Sequence, residues 1–190
     1  MPRPILERTV PDGSAVAVDP GAVNAAYARS LILVALLLCV AGVAFATDKT
    51  VSVVETVDIP ASSSRTWATI QDFRGWQAWH PAFASTEIVR GPGNAKGTVR
   101  VLAARDGARF TEELLLHEDV SHVVQYRILQ SPLPITNYVS SLKVQSTYEG
   151  SQVIWSSTFQ VDAGAREEDI KKAIAGVYRA GLDHLGAVIR

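Results

Sequence analysis

Residues 165–189 read AREEDIKKAIAGVYRAGLDHLGAVI, and their period decides the fold. Apolar side chains recur at Ile170, Ile174, Val177, Tyr178, Leu182, Leu185 and Ile189, an i, i+4, i+7/i+8 stripe that predicts a long amphipathic helix. Glu168, Lys171, Lys172, Arg179 and Asp183 fall off the stripe, on the face left to water. Upstream the period drops to two. Strands are predicted at approximately 85–90, 97–105, 109–117, 122–130, 137–147 and 151–161. The turn signals between them are Gly91-Pro92-Gly93-Asn94, Asp106-Gly107, Glu118-Asp119, Ser131-Pro132-Leu133-Pro134 and Glu149-Gly150. Val51–Ile59 (VSVVETVDI) is a further strand, closed by Pro60. Ser62-Ser63-Ser64 can cap a short helix through Trp67 and Ile70, and DFRGWQAWHP (72–81) reads as a second short helix or a turn. The order is strand, two short helices, six strands, long helix. No βαβ alternation is present, so the class is α+β, a curved antiparallel sheet of about seven strands. The long C-terminal helix must bury its stripe against one face of that sheet, with space left between them.

The rest of the chain sets the boundaries. Its 190 residues suit one domain and an appendage. Eighteen basic against nineteen acidic residues give a net charge of -1, which excludes a nucleic-acid binder that depends on a basic surplus. One cysteine, Cys39, allows neither a disulfide framework nor a cysteine zinc site. His80, His117, His122 and His184 lack metal-ligand spacing, so neither a metal nor a cofactor is expected. Leu31–Ala46 (LILVALLLCVAGVAFA) is uncharged, with Arg29 before it and Asp48 and Lys49 after it. The run ends in an A-x-A pattern. It is expected to be a cleaved signal peptide or, if uncleaved, a membrane anchor, and in both cases the chain beyond it is periplasmic or extracellular. Leucines precede Cys39 where lipidation needs a small residue. Residues 1–29 show no periodicity and read as a disordered or mis-started leader, the true start lying nearer the run, at about Val23. The expected division is thus 1–29, 30–46 and a domain over 47–190.

From about Val51 to the end the chain resembles the SRPBCC superfamily, also called START-like or helix-grip, and within it the polyketide cyclase/dehydrase and lipid-transport group, in its exported branch. The resemblance is carried by VDIPASSSRTWATIQDFRGWQAWHP (57–81), the Asp106-Gly107 hairpin followed by FTEELL (110–115), YRILQSPLPITNY (126–138) and IAGVYRAGLDHL (174–185). It implies a helix-grip fold with a deep apolar cavity between sheet and C-terminal helix. It does not imply one chemistry.

Strand parity nominates the cavity wall. A two-residue Asp106-Gly107 turn pairs Val101 with Glu112 and Val99 with Leu114, and places Arg100 opposite Glu113 as an outer ion pair. Val101, Phe110, Glu112 and Leu114 then share the apolar face. A slip of one residue would reverse this, and a solvent-facing Glu112 stays open. The same parity turns Tyr126, Ile128, Tyr138, Trp155 and Phe159 inward, with Ile174, Tyr178 and Leu182 facing them from the helix. Trp76 reads as an anchor for the short helices. Trp79 and His80 are candidates for a lid at the cavity mouth, His80 as a polar tip or a general acid/base near neutral pH. His117, His122 and His184 read as solvated.

Three functions stay open. The first is binding or transport of a small hydrophobic ligand: lipid, polyketide-like or terpenoid. The second is a polyketide cyclase or dehydratase using Glu112, Tyr126 and His80. The third is an accessory role for a periplasmic dehydrogenase, with a protein partner.

Overall fold

In the computed structural model, residues 49–189 are described. The expected leader, signal or anchor, and cleavage site lie outside them. Among the described residues no helix is long and apolar enough to cross a membrane.

The elements are β1 (Val51–Ile59), α1 (Ser63–Ile70), a 3-10 turn at Trp76–Ala78, β2 (Phe83–Arg90), β3 (Val99–Ala104), β4 (Arg109–Glu118), β5 (Val123–Gln130), β6 (Ile135–Thr147), β7 (Gly150–Val161) and α2 (Glu167–Val188). Within stretch 72–81, expected as a second short helix or a turn, the structure has this single 3-10 turn. Strands β2 to β7 form a meander, and β1 adds to β7 at the far edge, giving the antiparallel order β1-β7-β6-β5-β4-β3-β2. Irregularities between Phe83 and Ser85 and between Ile88 and Arg90 interrupt the outer strand β2.

Local chemistry accounts for the helices. The Ser62 hydroxyl accepts from the Arg65 N–H at 3.3 Å and caps α1. Thr66, Trp67 and Ile70 then face inward, with Thr66 and Ser151 sharing a buried 2.8 Å hydroxyl pair. Glu167, Glu168 and Asp169 occupy the first turn of α2, where the helix dipole favours negative charge. Its buried face is Ile170, Ile174, Tyr178, Gly181, Leu182 and Leu185. Val177, expected on the buried stripe, is 39% exposed.

The β3–β4 register differs from expectation by one residue. Ala104 N–H donates to the Ala108 carbonyl at 2.8 Å, and Gly107, at φ 93°, donates to the Ala104 carbonyl at 3.1 Å. The loop therefore holds three residues, Arg105-Asp106-Gly107, with glycine in the left-handed position of a bulged turn. Arg100 now pairs with Glu112, Val101 with Thr111 and Leu102 with Phe110. The correction turns Arg100 inward and Val101 to the outer face. The expected Arg100–Glu113 ion pair does not form; Glu113 instead meets Arg90 at 3.3 Å and Arg127 at 2.6 Å on the outside.

Two glycines of α2 should respond oppositely to alanine. At Gly181 an added Cβ would lie 2.4 Å from His80 Cδ2 and 3.1 Å from Trp155 Cζ3, whereas Gly176 has nothing within 4 Å. Gly181→Ala is expected to destabilise the domain by about 1–2 kcal/mol, overpacking exceeding the helix-propensity gain. Gly176→Ala should stabilise it by about 0.5–1 kcal/mol. Urea unfolding of both variants checks the pair of signs.

Candidate functional site

A cavity of about 510 Å³ lies between the sheet and α2. The connection through Trp76, Ala82 and Phe83 closes one side. The β3–β4 loop (Arg105, Asp106) and the Pro132–Leu133 turn contribute the rim, with Ala173 and Val177 of α2 facing them. Exposed Arg105, Asp106, Pro132, Ala173 and Val177 mark the mouth. The walls are mostly apolar and aromatic.

At the inner end sits a buried ion pair. Arg100 and Glu112 are both sealed from bulk water. Arg100 Nε donates to Glu112 Oε2 at 2.8 Å, and Nη2 lies 2.7 Å from the same oxygen. Nη1 donates to the Phe73 carbonyl at 2.7 Å. The guanidinium is stacked 3.8 Å from the Phe73 ring and 3.7 Å from the Trp76 ring. Cation–π attraction and three directed contacts replace much of its lost hydration. Burial pushes the Glu112 carboxyl above its ordinary range, against the pull of the guanidinium. The two effects oppose each other, the guanidinium contact favouring the carboxylate form. Glu112 lines the cavity, its hydrogen bond from Arg100 is to Oε2 and not Oε1, and Arg100 Nη2 is buried without a hydrogen bond among the described residues.

A second polar cluster joins sheet to helix. Trp155 Nε1 donates to Tyr126 Oη and to Ser140 Oγ, both at 3.1 Å. Its ring stacks on Tyr178 at 4.3 Å. The Tyr178 hydroxyl bonds that of Tyr138 and lies 3.3 Å from Ser140 Oγ. Burial raises the pKa of Tyr126, Tyr138 and Tyr178 well above the ordinary phenol value. These hydroxyls therefore hydrogen-bond as neutral groups.

Of the residues expected at the site, Phe110, Glu112, Tyr126, Ile128, Tyr138, Trp155, Ile174 and Tyr178 line the cavity. Six lie away from its lining. Val101 faces outward through the register change. Leu114, Phe159 and Leu182 are core residues. Trp79 is packed against Trp76 and Trp155, with ring centroids 5.4 and 5.8 Å away. His80 is a latch and not a tip: Nε2 donates to the Val177 carbonyl at 3.1 Å, and Nδ1 accepts from the Ala82 N–H at 3.2 Å. Burial lowers its pKa to about 4, so it is neutral near pH 7 and unsuited to the acid/base part expected of it. The other three histidines are not simply solvated. His117 packs tilted against Trp67 and bonds the Gln71 carbonyl, His122 stacks on the Trp67 ring with centroids 5.5 Å apart, and His184 donates to the Trp79 carbonyl at 2.8 Å.

Sequence reasoning missed Trp76 as a cavity residue, along with Phe83, Leu133, Val177, the rim residues and four alanines (82, 104, 108 and 173). Val177 was signalled by its place on the helical stripe. The alanines carry no chemical signal, because what they contribute is space.

A curved antiparallel sheet gripping a C-terminal helix around an apolar cavity defines a helix-grip protein of the kind that binds hydrophobic ligands. Residues 50–190 match the family model described as polyketide cyclase / dehydrase and lipid transport, and the chain belongs to that family within the SRPBCC superfamily. Solved structures agree. The protein XoxI from Bacillus cereus is 30% identical, with a TM-score of 0.64 over 74% of this chain and 94% of that one. An uncharacterised protein from Bacillus thuringiensis is 29% identical, with a TM-score of 0.65 over 74% and 98%. A protein from Nitrosospira multiformis is 25% identical, with a TM-score of 0.65 over 74% and 97%.

The His80 latch predicts a pH dependence. Its folded pKa lies below the unfolded value of 6.5, so as pH falls the unfolded chain takes up the proton first. The associated stability is complete above about pH 6.5 and is lost towards pH 4, amounting to roughly 3 kcal/mol. His80→Gln can keep both hydrogen bonds without titrating. Urea unfolding from pH 7 to 4.5 should therefore show a shallower loss in the variant; parallel losses would assign the pH dependence to other groups.

Proposed function

We propose that the domain carries a small, largely apolar molecule in the cavity above the Arg100–Glu112 pair, as a binding or transport protein and not a catalyst. The observation that carries this reading is a space of about 510 Å³ walled by aromatic and aliphatic side chains, with one carboxylate at its inner end. Burying roughly 300 Å² of apolar ligand surface gives a gross 7–8 kcal/mol at about 25 cal/mol per Å², before the entropy costs of association. The groups a cyclase would use are poorly placed for proton transfer. His80 is neutral and latched, the tyrosines are held as phenols, and Glu112 is engaged by Arg100. Family membership supports the ligand class and leaves the ligand's identity to experiment.

Filling the cavity from α2 tests this. Ala173 is exposed on the helix yet lines the cavity, whereas Lys172 is exposed and does not. Ala173→Trp should weaken uptake of the neutral fluorescent probe N-phenyl-1-naphthylamine by about tenfold or more, with thermal stability nearly unchanged. Lys172→Trp should bind like wild type. Equal uptake by both variants would move the binding site elsewhere.

We also propose that the chain acts outside the cytoplasm. The reading rests on the uncharged run 31–46 and the arginine before it. A fusion of residues 1–50 to a reporter active only after export is expected to give signal, and activity confined to a cytoplasmic reporter would overturn it.

A further inference from the structure

The inner end of the cavity has a definite hydrogen-bonding character. Glu112 borders the cavity; its Oε2 is occupied by Arg100, while Oε1 has no hydrogen bond from the described residues. An acceptor oxygen is thus offered to whatever enters. Tyr126 lines the same space. Its oxygen accepts from Trp155, and because an indole N–H can only donate, the phenol proton is not used in that bond. Carboxylate and phenol therefore belong to side chains that line one cavity.

No cation is available there to match an acid. Arg100 has Nε on Glu112 Oε2 and Nη1 on the Phe73 carbonyl, its Nη2 lies 2.7 Å from the same Glu112 oxygen without a hydrogen bond of its own, and the residue lies behind the carboxylate, outside the lining. Arg105 is at the rim, where its Nε donates to the Pro81 carbonyl at 2.9 Å and Asp106 lies beside it. A ligand carboxylate pushed inward would lose its water and meet Oε1 as a like charge. A hydroxyl suits both groups, since it can donate to Oε1 and accept from Tyr126.

We infer that the cavity selects apolar molecules whose buried end is an alcohol or phenol, and rejects those that end in a carboxylate. The inference rests on the ligand-binding reading above. It turns the identity of the ligand into a question about one functional group: the aliphatic or aromatic body supplies affinity and the hydroxyl supplies orientation.

Displacement of N-phenyl-1-naphthylamine from wild-type protein at pH 8 tests it, with 1-decanol, methyl decanoate and decanoate each kept below its aggregation threshold. Decanol should displace half the probe at about tenfold lower concentration than either competitor. The ester is the informative control, because it is as apolar as the alcohol yet cannot donate to Glu112. Equal potency of ester and alcohol, or a decanoate as potent as decanol, would overturn the selection while leaving the cavity a binding site. In Glu112→Gln the ratio of alcohol to acid potency should fall by about tenfold or more, since the facing charge is gone and Arg100 is released. Should that variant not fold, the alcohol–ester comparison in wild type decides alone. Failure of the probe itself to bind wild type would remove the ligand-binding reading, and this inference with it.

Discussion

The Arg100 guanidinium is the point at which connection, sheet and cavity meet. It binds Glu112 on the neighbouring strand, holds the Phe73 carbonyl of the segment after α1, and lies between the Phe73 and Trp76 rings. Removing such an ion from water costs several kcal/mol, a cost offset here by the ion pair, the Phe73 carbonyl and the two aromatic faces, with Arg100 Nη2 and Glu112 Oε1 left without a hydrogen bond among the described residues. Its value to the fold is geometric. Trp76, fixed by the cation, packs edge-on against Tyr126 and Trp155, with centroids at 5.2 and 5.4 Å. Those three rings form the inner wall of the cavity. One buried charge pair therefore sets where the connection crosses the sheet and how the cavity is walled at its inner end.

Helix α2 is held to the same segment by a different device. His80 reaches the Val177 carbonyl, and His184 on α2 reaches back to the Trp79 carbonyl. Both bonds use backbone carbonyls, so the clasp depends on where the two elements lie more than on their surface side chains. It needs glycine at position 181, because any larger residue there would meet the imidazole. The stacked Trp155–Tyr178 pair then aligns the helix over β7.

Much of this was legible in the sequence, for reasons that also explain what was not. Long-period and short-period hydrophobic patterns are strong signals, and they placed seven strands and the C-terminal helix close to their observed positions. Inward parity of β4 to β7 followed from alternation alone. Strand β3 was misread because Asp-Gly signals a tight turn without fixing its length, and one extra loop residue flips every side chain on the partner strand. The same slip hid the Arg100–Glu112 pair, since an arginine facing inward is improbable until its aromatic neighbours are known. Trp76 was read as structural, yet it both cradles the cation and lines the cavity. Leu114, Phe159 and Leu182 were correctly read as inward-facing; whether such a residue borders space or packs solid core depends on curvature, which local sequence does not encode.

Topology carries a temporal consequence. Strand β1 pairs along its whole length with β7, so its partners are made about a hundred residues later. At roughly 5–20 residues per second on the ribosome, the first strand waits of the order of 5–20 s for the last. Helix α2, which covers β1 and β7, emerges later still. Until then the meander has an unpartnered face and lacks its closing strand. The β1–β7 edge and the helix that covers it are thus the last long-range contacts the domain can complete.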